Sequence, residues 1–186
     1  MEYKLTTPVT KEMLAPLKAG DTVLLSGVVY TARDAAHKRL MERLDAGETL
    51  PFDLNGSAIY YVGPTPERPG EVIGSAGPTT SGRMDAYSPR LLDLGQSIMI
   101  GKGARNKAVQ EAVVRNSAVY LAALGGAGAL MAASVEELEV ICWEDLGCEA
   151  VRRLQVKNFP LTVILDAHGG NLYESGPAAY LAQANE

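Results

Sequence analysis

Short apolar runs alternate along the chain with segments whose apolar residues recur every three or four positions. The runs are rich in β-branched and aromatic residues and predict strands, whereas the longer spacing predicts amphipathic helices. No internal repeat or low-complexity block interrupts the alternation, which predicts one α/β domain over residues 1–186. The predicted strands are DTVLLSGVVYTA (21–32), SAIYYVGPTP (57–66), SIMIGKG (97–103), SAVYLAAL (117–124), LEVICWEDL (138–146) and LTVILDAHGG (161–170).

Three segments between the strands predict helices. ARDAAHKRLMERLDAG (32–47) and NKAVQEAVVRN (106–116) have the helical spacing, and a glycine stops the first of them. The segment 79–95 begins after a proline and predicts a third helix, which Pro89 interrupts or ends.

Two of the predicted strands, SIMIGKG and LTVILDAHGG, end in glycine-rich turns. In α/β sheets, ligands usually bind beside the loops that follow the carboxyl ends of the strands. We therefore expect both turns to lie at one shared edge of the sheet, with their backbone N–H groups and side chains directed at a ligand.

The composition limits the expected partners. The formal net charge at pH 7 is −5, and lysines and arginines are dispersed among acids, so no nucleic-acid or membrane surface is expected. No apolar run approaches the length of a membrane span, and the N-terminus MEYKLTTPVTKEM lacks the apolar core of a secretory signal. The expected location is the cytoplasm.

Cys142 and Cys148 are the only two cysteines, which is too few for a disulfide framework and is typical of a reducing compartment. Together with the only two histidines, His37 and His168, they match no common zinc spacing. A cubane iron-sulfur cluster needs three or four thiolates, so we expect this chain to bind no metal alone.

The stretch SAGPTTSGRMDAYSP (75–89) is a candidate anion site. If Thr79 and Thr80 begin a helix, their backbone N–H groups are unpaired and the helix dipole favours an anion there. Arg83 lies four residues after Thr79, and its planar guanidinium fits a carboxylate better than a phosphate. The alternative is that Thr79 only caps a helix and that Arg83 pairs with Asp85 or with a remote acid.

Two further stretches contain isolated cations beside small residues. Arg33 in TARDAAH opens a predicted helix directly after a strand, and His37 follows on the same face. Lys102 stands between two glycines at a strand end, where the backbone can approach a ligand closely. We expect Arg33, Arg83 and Lys102 to have little local acid to neutralise them, which suits a substrate with two carboxylates.

Five motifs give the chain a resemblance to a known family over nearly its whole length. The motifs are YTARDAAHKRL, IYYVGPTPERPGEVIGSAGPTTSGRMDAYSP, MIGKG, VYLAALGGAGAL and WEDLG. They resemble the β subunit of class I, iron-sulfur-dependent fumarases and of the related L(+)-tartrate dehydratases. The resemblance implies a single three-layer swivelling β/β/α domain, as in the C-terminal half of class I fumarases.

The resemblance also implies roles for individual residues. Arg33, Arg83 and Lys102 match positions that hold substrate carboxylates, and Thr79 matches the proposed proton-abstracting base. A threonine hydroxyl is a weak base near neutral pH, so His37, with the better suited pKa, is the alternative base or acid. The family's [4Fe-4S] cluster is bound by the α part, and one of its irons holds the substrate hydroxyl.

These expectations combine into a fumarate hydratase β subunit that interconverts fumarate and (S)-malate with a cluster-bearing α subunit, as an α2β2 heterotetramer. One alternative is an L(+)-tartrate dehydratase β subunit, which converts tartrate to oxaloacetate. Another is a non-catalytic module that binds small dicarboxylates. A catalytic face completed by another subunit is also expected to make the isolated chain self-associate, with GGAGAL (125–130) as a candidate for close backbone approach.

Overall fold

Seven strands form one mixed sheet in the computed structural model, which describes residues 1–184 of the 186 in the chain. The strand order in the sheet is β1-β2-β3-β4-β5-β7-β6, and β2 also pairs with β7, so that five strands close into a ring. The strands are β1 (Glu2–Thr6), β2 (Thr22–Thr31), β3 (Ala58–Tyr60), β4 (Ile98–Gly101), β5 (Val119–Ala122), β6 (Val135–Cys142) and β7 (Val151–Leu165).

Strand direction divides the sheet into two parts. Neighbouring strands from β1 to β5 are parallel, so the carboxyl ends of β2 to β5 lie at one edge. Strand β7 runs antiparallel to β2, β5 and β6. The prediction that LTVILDAHGG shares an edge with SIMIGKG is therefore wrong. Asp166, in that turn, instead accepts a hydrogen bond from the backbone N–H of Ala19, just ahead of β2.

Six α-helices and two short 3-10 helices connect the strands. The predicted helices at 32–47 and 106–116 are confirmed as α2 and α4. None of the helices within residues 1–184 is long and apolar enough to cross a membrane. The α-helices are α1 (Lys11–Leu14), α2 (Asp34–Asp45), α3 (Ser88–Asp93), α4 (Lys107–Asn116), α5 (Gly128–Ala132) and α6 (Leu172–Ala184), and the 3-10 helices are Ser81–Met84 and Glu144–Glu149.

The helix predicted for 79–95 is replaced by an extended segment, a 3-10 turn and the short α3. Thr80 is extended, with φ −65° and ψ 116°. The Thr79 N–H donates to the carbonyl oxygen of Tyr61 at 2.8 Å, and the Ser81 N–H donates to that of Lys102 at 2.8 Å. Hydrogen bonds to the ends of β3 and β4 therefore replace the helical bonds that the local sequence favours.

Two apolar clusters lie on opposite faces of the central strands β3, β4 and β5. One cluster fills the ring of strands, and the other packs against α2, α3 and α4. Because these strands are buried on both faces, they read as continuous apolar runs rather than as an alternating pattern. Ile59, Met99 and Tyr120 belong to the helix-side cluster, and their neighbours Tyr60, Ile100 and Leu121 belong to the ring cluster.

Gly27 allows β2 to bend where the ring closes. The register of β2 against β7 shifts between Leu25 and Gly27, and Gly27 has a φ of +95°. A Cβ at this position would lie 2.6 Å from Oγ1 and 2.9 Å from the carbonyl oxygen of Thr7. The Thr7 hydroxyl itself donates to the carbonyl oxygen of Val28 at 2.7 Å, so Thr7 has little freedom to move away.

We expect Gly27→Ala to lower the free energy of unfolding by about 2 to 4 kcal/mol, the sum of a left-handed backbone penalty and overpacking. The matched control is Gly47→Ala, because Gly47 also has a positive φ, +71°, but has no atom within 4 Å of a built Cβ. Gly47→Ala should cost only about 1 to 2 kcal/mol. Urea unfolding followed by the fluorescence of the single tryptophan, Trp143, measures both values. Equal losses would contradict the close contact with Thr7.

Candidate functional site

Three of the stretches selected from the sequence meet at the carboxyl edge of β2 to β5. Arg33 follows β2 directly, and Lys102 follows β4. The segment around Thr79 lies between the ends of β3 and β4, because Pro78 bridges to Val62 and Thr80 bridges to Lys102. The fold thus brings TARDAAH, GPTTSGR and GKG to one edge of the sheet.

Backbone contacts fix the Thr79 segment at this edge. Besides the two bonds to Tyr61 and Lys102, the Lys102 N–H donates to the Ser81 hydroxyl at 3.0 Å. The Thr79 N–H is therefore already used, and the expected cradle of unpaired helix N–H groups is wrong. A ligand at this edge can still be contacted by side chains, because Thr80 is exposed and Thr79 is half-buried.

Arg33 is a mostly buried cation with few acceptors. Its side chain is 20 % exposed, and its nearest carboxylates are Asp34 at 3.7 Å and Glu149 at 3.6 Å. Its Nε is buried and has no hydrogen-bond partner within residues 1–184. Gly63 makes room for this side chain, because a Cβ there would lie 2.8 Å from Arg33 Nη1. A guanidinium in this position has donors to offer to an added carboxylate.

Arg83 pairs with a remote acid rather than with Asp85. Its Nε lies 2.7 Å from Asp34 Oδ1, and 51 % of its side chain is exposed. Asp34 and Glu149 thus provide acid beside both arginines, so the expectation of little local acid is wrong. Sequence distance concealed Glu149, which lies more than a hundred residues from Arg33 and also accepts a hydrogen bond from the Ala35 N–H at 2.8 Å.

Lys102 is exposed, as Arg83 is. Its side chain is exposed and forms no ion pair within the part of the chain that the structure describes. Gly103, the next residue, has a φ of +85° and donates its N–H to the Tyr173 hydroxyl at 3.2 Å. The glycines thus turn the chain away from the sheet after β4 and leave the lysine at the edge.

A buried network that sequence reasoning missed supports this edge from below. Arg105 is fully buried, and its Nε donates to Asp85 at 2.6 Å while Nη2 donates to the Ser88 hydroxyl at 2.7 Å. Its guanidinium carbon lies 5.4 Å from the ring centre of Tyr61 and 5.0 Å from that of Tyr120. The network joins the loop after β4 to the SGRMDAYSP segment, which are far apart in sequence.

The same network reaches the Thr79 segment through Tyr120. Its hydroxyl lies 2.9 Å from both the Ser81 hydroxyl and the Gly103 carbonyl oxygen. Burial raises the pKa of Tyr120, so the phenol stays protonated and keeps its donor. The sequence shows that an arginine, Arg105, directly precedes the helix cap Asn106. It does not show that Arg105 pairs with Asp85.

His37 lies in the core and not at the exposed edge. Its side chain is fully buried between Tyr61 and Tyr87, with ring centres 5.4 and 5.8 Å away. Its Nδ1 donates to the Arg33 carbonyl oxygen at 2.9 Å, and Nε2 has no partner within residues 1–184. Burial lowers the pKa of His37 to about 4, so the ring is neutral at pH 7. The alternative role as base requires a solvent-facing ring atom, which His37 lacks in this structure.

GGAGAL approaches the site loops from the far side. A Cβ on Gly128 would lie 3.0 Å from the backbone nitrogen of Gly77, and the Ala76 N–H donates to the Gly128 carbonyl oxygen at 3.0 Å. The close approach predicted for this segment is therefore made within the chain, to SAGPTT. Whether the free chain self-associates stays a prediction.

Two cavities lie beside the site rather than at its cations. They have volumes of about 410 and 480 Å³ and share Thr65, Pro66 and Ile73 as lining residues. Neither is lined by Arg33, Thr79, Arg83 or Lys102. Arg83 and Lys102 have exposed side chains, whereas Arg33 is mostly buried.

The cysteines do not fit an iron-sulfur cluster. Cys142 is half-buried and Cys148 is exposed, and both are free thiols. Within residues 1–184, no group of three or more His, Cys, Asp and Glu side chains is placed to hold a metal ion. Such a cluster needs three or four thiolates, and the chain has two cysteines.

The sequence matches the family described as Fumarase C-terminus over residues 1–176. The chain belongs to this family, as its motifs predicted.

Its relatives carry two kinds of name. A Methanocaldococcus jannaschii protein provisionally named L(+)-tartrate dehydratase subunit beta is 41 % identical, over 100 % of this chain and 98 % of that protein. The L(+)-tartrate dehydratase subunit beta of Escherichia coli is 36 % identical over 92 % of this chain and 87 % of that protein. The aerobic class I fumarate hydratase of Escherichia coli is 38 % identical over 88 % of this chain. The chain spans only 31 % of that fumarate hydratase.

The first prediction from the site concerns acid stability. The folded pKa of His37 is about 4 and the ordinary value is 6.5, so between these values the unfolded chain binds a proton that the folded protein does not. Stability contributed by neutral His37 is complete above pH 6.5 and falls by about 3 kcal/mol as the pH drops to 4. His37→Phe keeps a packed ring and should remove this part of the pH dependence.

The measurement is the free energy of unfolding of both proteins from pH 7 to pH 4. The difference between them should narrow or reverse as the pH falls, because only the wild type carries the titrating ring. Parallel curves over this range would contradict a buried, neutral His37.

The second prediction concerns Arg105. Arg105→Met should lower the free energy of unfolding by about 3 to 5 kcal/mol, because Asp85 is left as a buried charge without its partner. Arg115→Met is the matched control, since Arg115 also pairs with an aspartate, Asp93, at 2.8 Å but is 49 % exposed. That change should cost less than about 1 kcal/mol. Urea unfolding of both variants measures the two losses in the free energy of unfolding. Similar losses would show that the Arg105 ion pair is no more important for stability than an exposed one.

Proposed function

We propose that the chain is the β subunit of a fumarate hydratase, a hydro-lyase that interconverts fumarate and (S)-malate. The main supporting observation is Arg33, a mostly buried guanidinium whose Nε has no hydrogen-bond partner within residues 1–184, on the same edge as Lys102 and joined to Arg83 through Asp34. In this proposal the fold is the family's three-layer swivelling β/β/α domain. The two apolar clusters on opposite faces of the central strands support that arrangement.

The proposal includes a partner. Two relatives are named as β subunits, and the chain spans nearly the whole of both. We propose an α subunit that carries the [4Fe-4S] cluster and joins this chain in an α2β2 heterotetramer. The exposed side chains of Arg83 and Lys102 support a site that another subunit completes.

The cations bind and polarise the substrate in this account. Arg33 and Arg83 hold a carboxylate through their free N–H donors, and Lys102 holds the second carboxylate or the same one from the other side. When a proton leaves the carbon beside a carboxylate, negative charge develops on the carboxylate oxygens. Cations fixed beside those oxygens stabilise this charge more in the transition state than in the ground state.

Thr79 is the proposed proton acceptor. Its hydroxyl is a weak base, so nearby cations must stabilise its anionic form for it to act. The backbone bridge between Thr80 and Lys102 keeps one cation close to this segment, and the bonds to Tyr61 and Lys102 hold the segment rigid. His37 acts on the site only through Arg33, whose carbonyl oxygen it binds.

A second candidate function is supported by one specific observation. The Methanocaldococcus jannaschii relative that this chain matches end to end carries the name of a tartrate dehydratase subunit. L(+)-tartrate has carboxylates like those of malate and one more hydroxyl group, so the same cations serve either substrate. A non-catalytic dicarboxylate-binding module remains the alternative outside enzymes, and it predicts binding without turnover.

The test is anaerobic co-expression of this chain with a cluster-bearing α subunit, followed by assays on fumarate, (S)-malate and L(+)-tartrate. We expect kcat/KM to be highest for fumarate and (S)-malate. Higher kcat/KM for L(+)-tartrate would select the second candidate, and binding without turnover of any of the three would select the module.

The variant pair Thr79→Val and Thr80→Val tests the base in the same complex. Thr79→Val should abolish deuterium exchange at the malate methylene carbon and change KM little, because it removes the hydroxyl and keeps the shape. Thr80→Val, its exposed neighbour, should exchange at close to the wild-type rate. Normal exchange in Thr79→Val would remove Thr79 from the mechanism.

A further inference from the structure

Asp34 contacts both arginines of the candidate site. Its Oδ1 lies 2.7 Å from Arg83 Nε, and its Oδ2 lies 3.7 Å from Arg33 Nε. Oδ2 is buried and has no hydrogen-bond partner within residues 1–184. One carboxylate at the start of α2 therefore links two cations that arrive from different loops.

The contact with Arg83 uses only one side of the guanidinium. A guanidinium offers five N–H donors, and those on Nη1 and Nη2 form a separate edge that fits a carboxylate through two parallel bonds. In the part of the chain that the structure describes, the closest ion-pair atom of Arg83 is Nε, which faces Asp34, and Nη1 and Nη2 donate no hydrogen bond. The contact thus fixes the direction of a side chain that is otherwise half exposed.

We propose that Asp34 is a positioning residue: it holds Arg83 by Nε, beside Arg33, so that the Nη edge of Arg83 is presented to a substrate carboxylate. This inference rests on the proposed function, because it assigns a role within the same carboxylate site. Asp34 itself does not touch the substrate in this account. It acts through Arg83.

A purely electrostatic role for Asp34 predicts the opposite result from a positioning role. Removing a negative charge beside two arginines raises the local positive potential, which alone would strengthen the binding of a dianion. Removing an orienting contact frees Arg83 to adopt other rotamers and weakens binding. The sign of the change therefore separates the two roles.

The experiment is a double-mutant cycle of Asp34→Ala and Arg83→Ala. It is measured as kcat/KM in the reconstituted complex and as the dissociation constant of (S)-malate for the isolated chain by NMR titration. Asp34→Ala should lower kcat/KM by about ten- to a hundredfold, the range for misplacing a group that positions the substrate. In the Arg83→Ala background, the same change should have less than roughly a twofold effect, because the side chain that Asp34 positions is gone and the contact with Arg33 is long.

Two further variants complete the test. Asp34→Asn keeps an oxygen that can accept from Arg83 Nε, so it should fall between wild type and Asp34→Ala. Asp45→Ala is the matched control, since Asp45 pairs with Arg90 at the other end of the same helix. Its kcat/KM should stay at the wild-type value.

Four outcomes overturn the inference. They are tighter malate binding in Asp34→Ala, additive losses in the cycle, equal effects of Asp34→Ala and Asp34→Asn, and wild-type activity in Asp34→Ala. If the wild-type complex is inactive on all three dicarboxylates, the proposed function fails, and the cycle of malate dissociation constants alone decides the role of Asp34. If the wild-type chain neither turns over nor binds malate, both proposals fail.

Discussion

The buried ion pair between Arg105 and Asp85 is the contact on which the candidate site depends. Arg105 has no exposed side-chain surface, and Asp85 also accepts from the Asn106 N–H at 2.6 Å. Removing two charges from water is costly, and only a well-satisfied arrangement recovers that cost. The pair therefore joins the loop after β4 to the SGRMDAYSP segment, and the ion pair forms only when both segments adopt one particular conformation.

Two cations near the site, Arg105 and Arg33, differ in how many hydrogen-bond acceptors surround them. Arg105 donates three hydrogen bonds, to Asp85, Ser88 and the sulfur of Met99, and packs beside two aromatic rings. Arg33 is nearly as buried but lies 3.6 to 3.7 Å from its carboxylates, too far for a good hydrogen bond. A buried cation with too few acceptors lowers the stability of the fold, and an added carboxylate would supply the missing acceptors. Arg105 holds the surrounding loops in place, and the N–H donors of Arg33 are available for binding.

The sequence predicted the elements whose signals are local. The strand at 21–32 and the helices at 32–47 and 106–116 follow from apolar spacing and caps, and the structure has them within a few residues. The motifs also predicted the family. The helix at 79–95 was wrong, because the backbone bonds of Thr79 and Ser81 go to strands that are distant in sequence. The sequence also could not predict that β7 is antiparallel to its neighbours, since apolar spacing predicts a strand but not its direction in the sheet.

The candidate residues were predicted better than their partners. Arg33, Thr79, Arg83 and Lys102 do lie at one edge, but Asp34, Glu149 and Arg105 matter because of contacts that no local pattern reveals. Burial of His37 was hidden for the same reason, since its neighbours Tyr61 and Tyr87 come from other elements. Contacts between remote segments decide protonation and charge pairing, and these follow from the fold as a whole.

The central claim is that the carboxyl edge of β2 to β5 is one half of a dicarboxylate site. The most direct measurement is an (S)-malate titration of the isotope-labelled isolated chain, following the Nε–H signals of its arginines by NMR. We expect saturable shifts for Arg33 and Arg83. We expect none for Arg105, which is buried and already hydrogen-bonded, or for Arg115, which is remote from this edge. Shifts confined to residues around Thr65 and Pro66, or no saturable shift at Arg33, would contradict it.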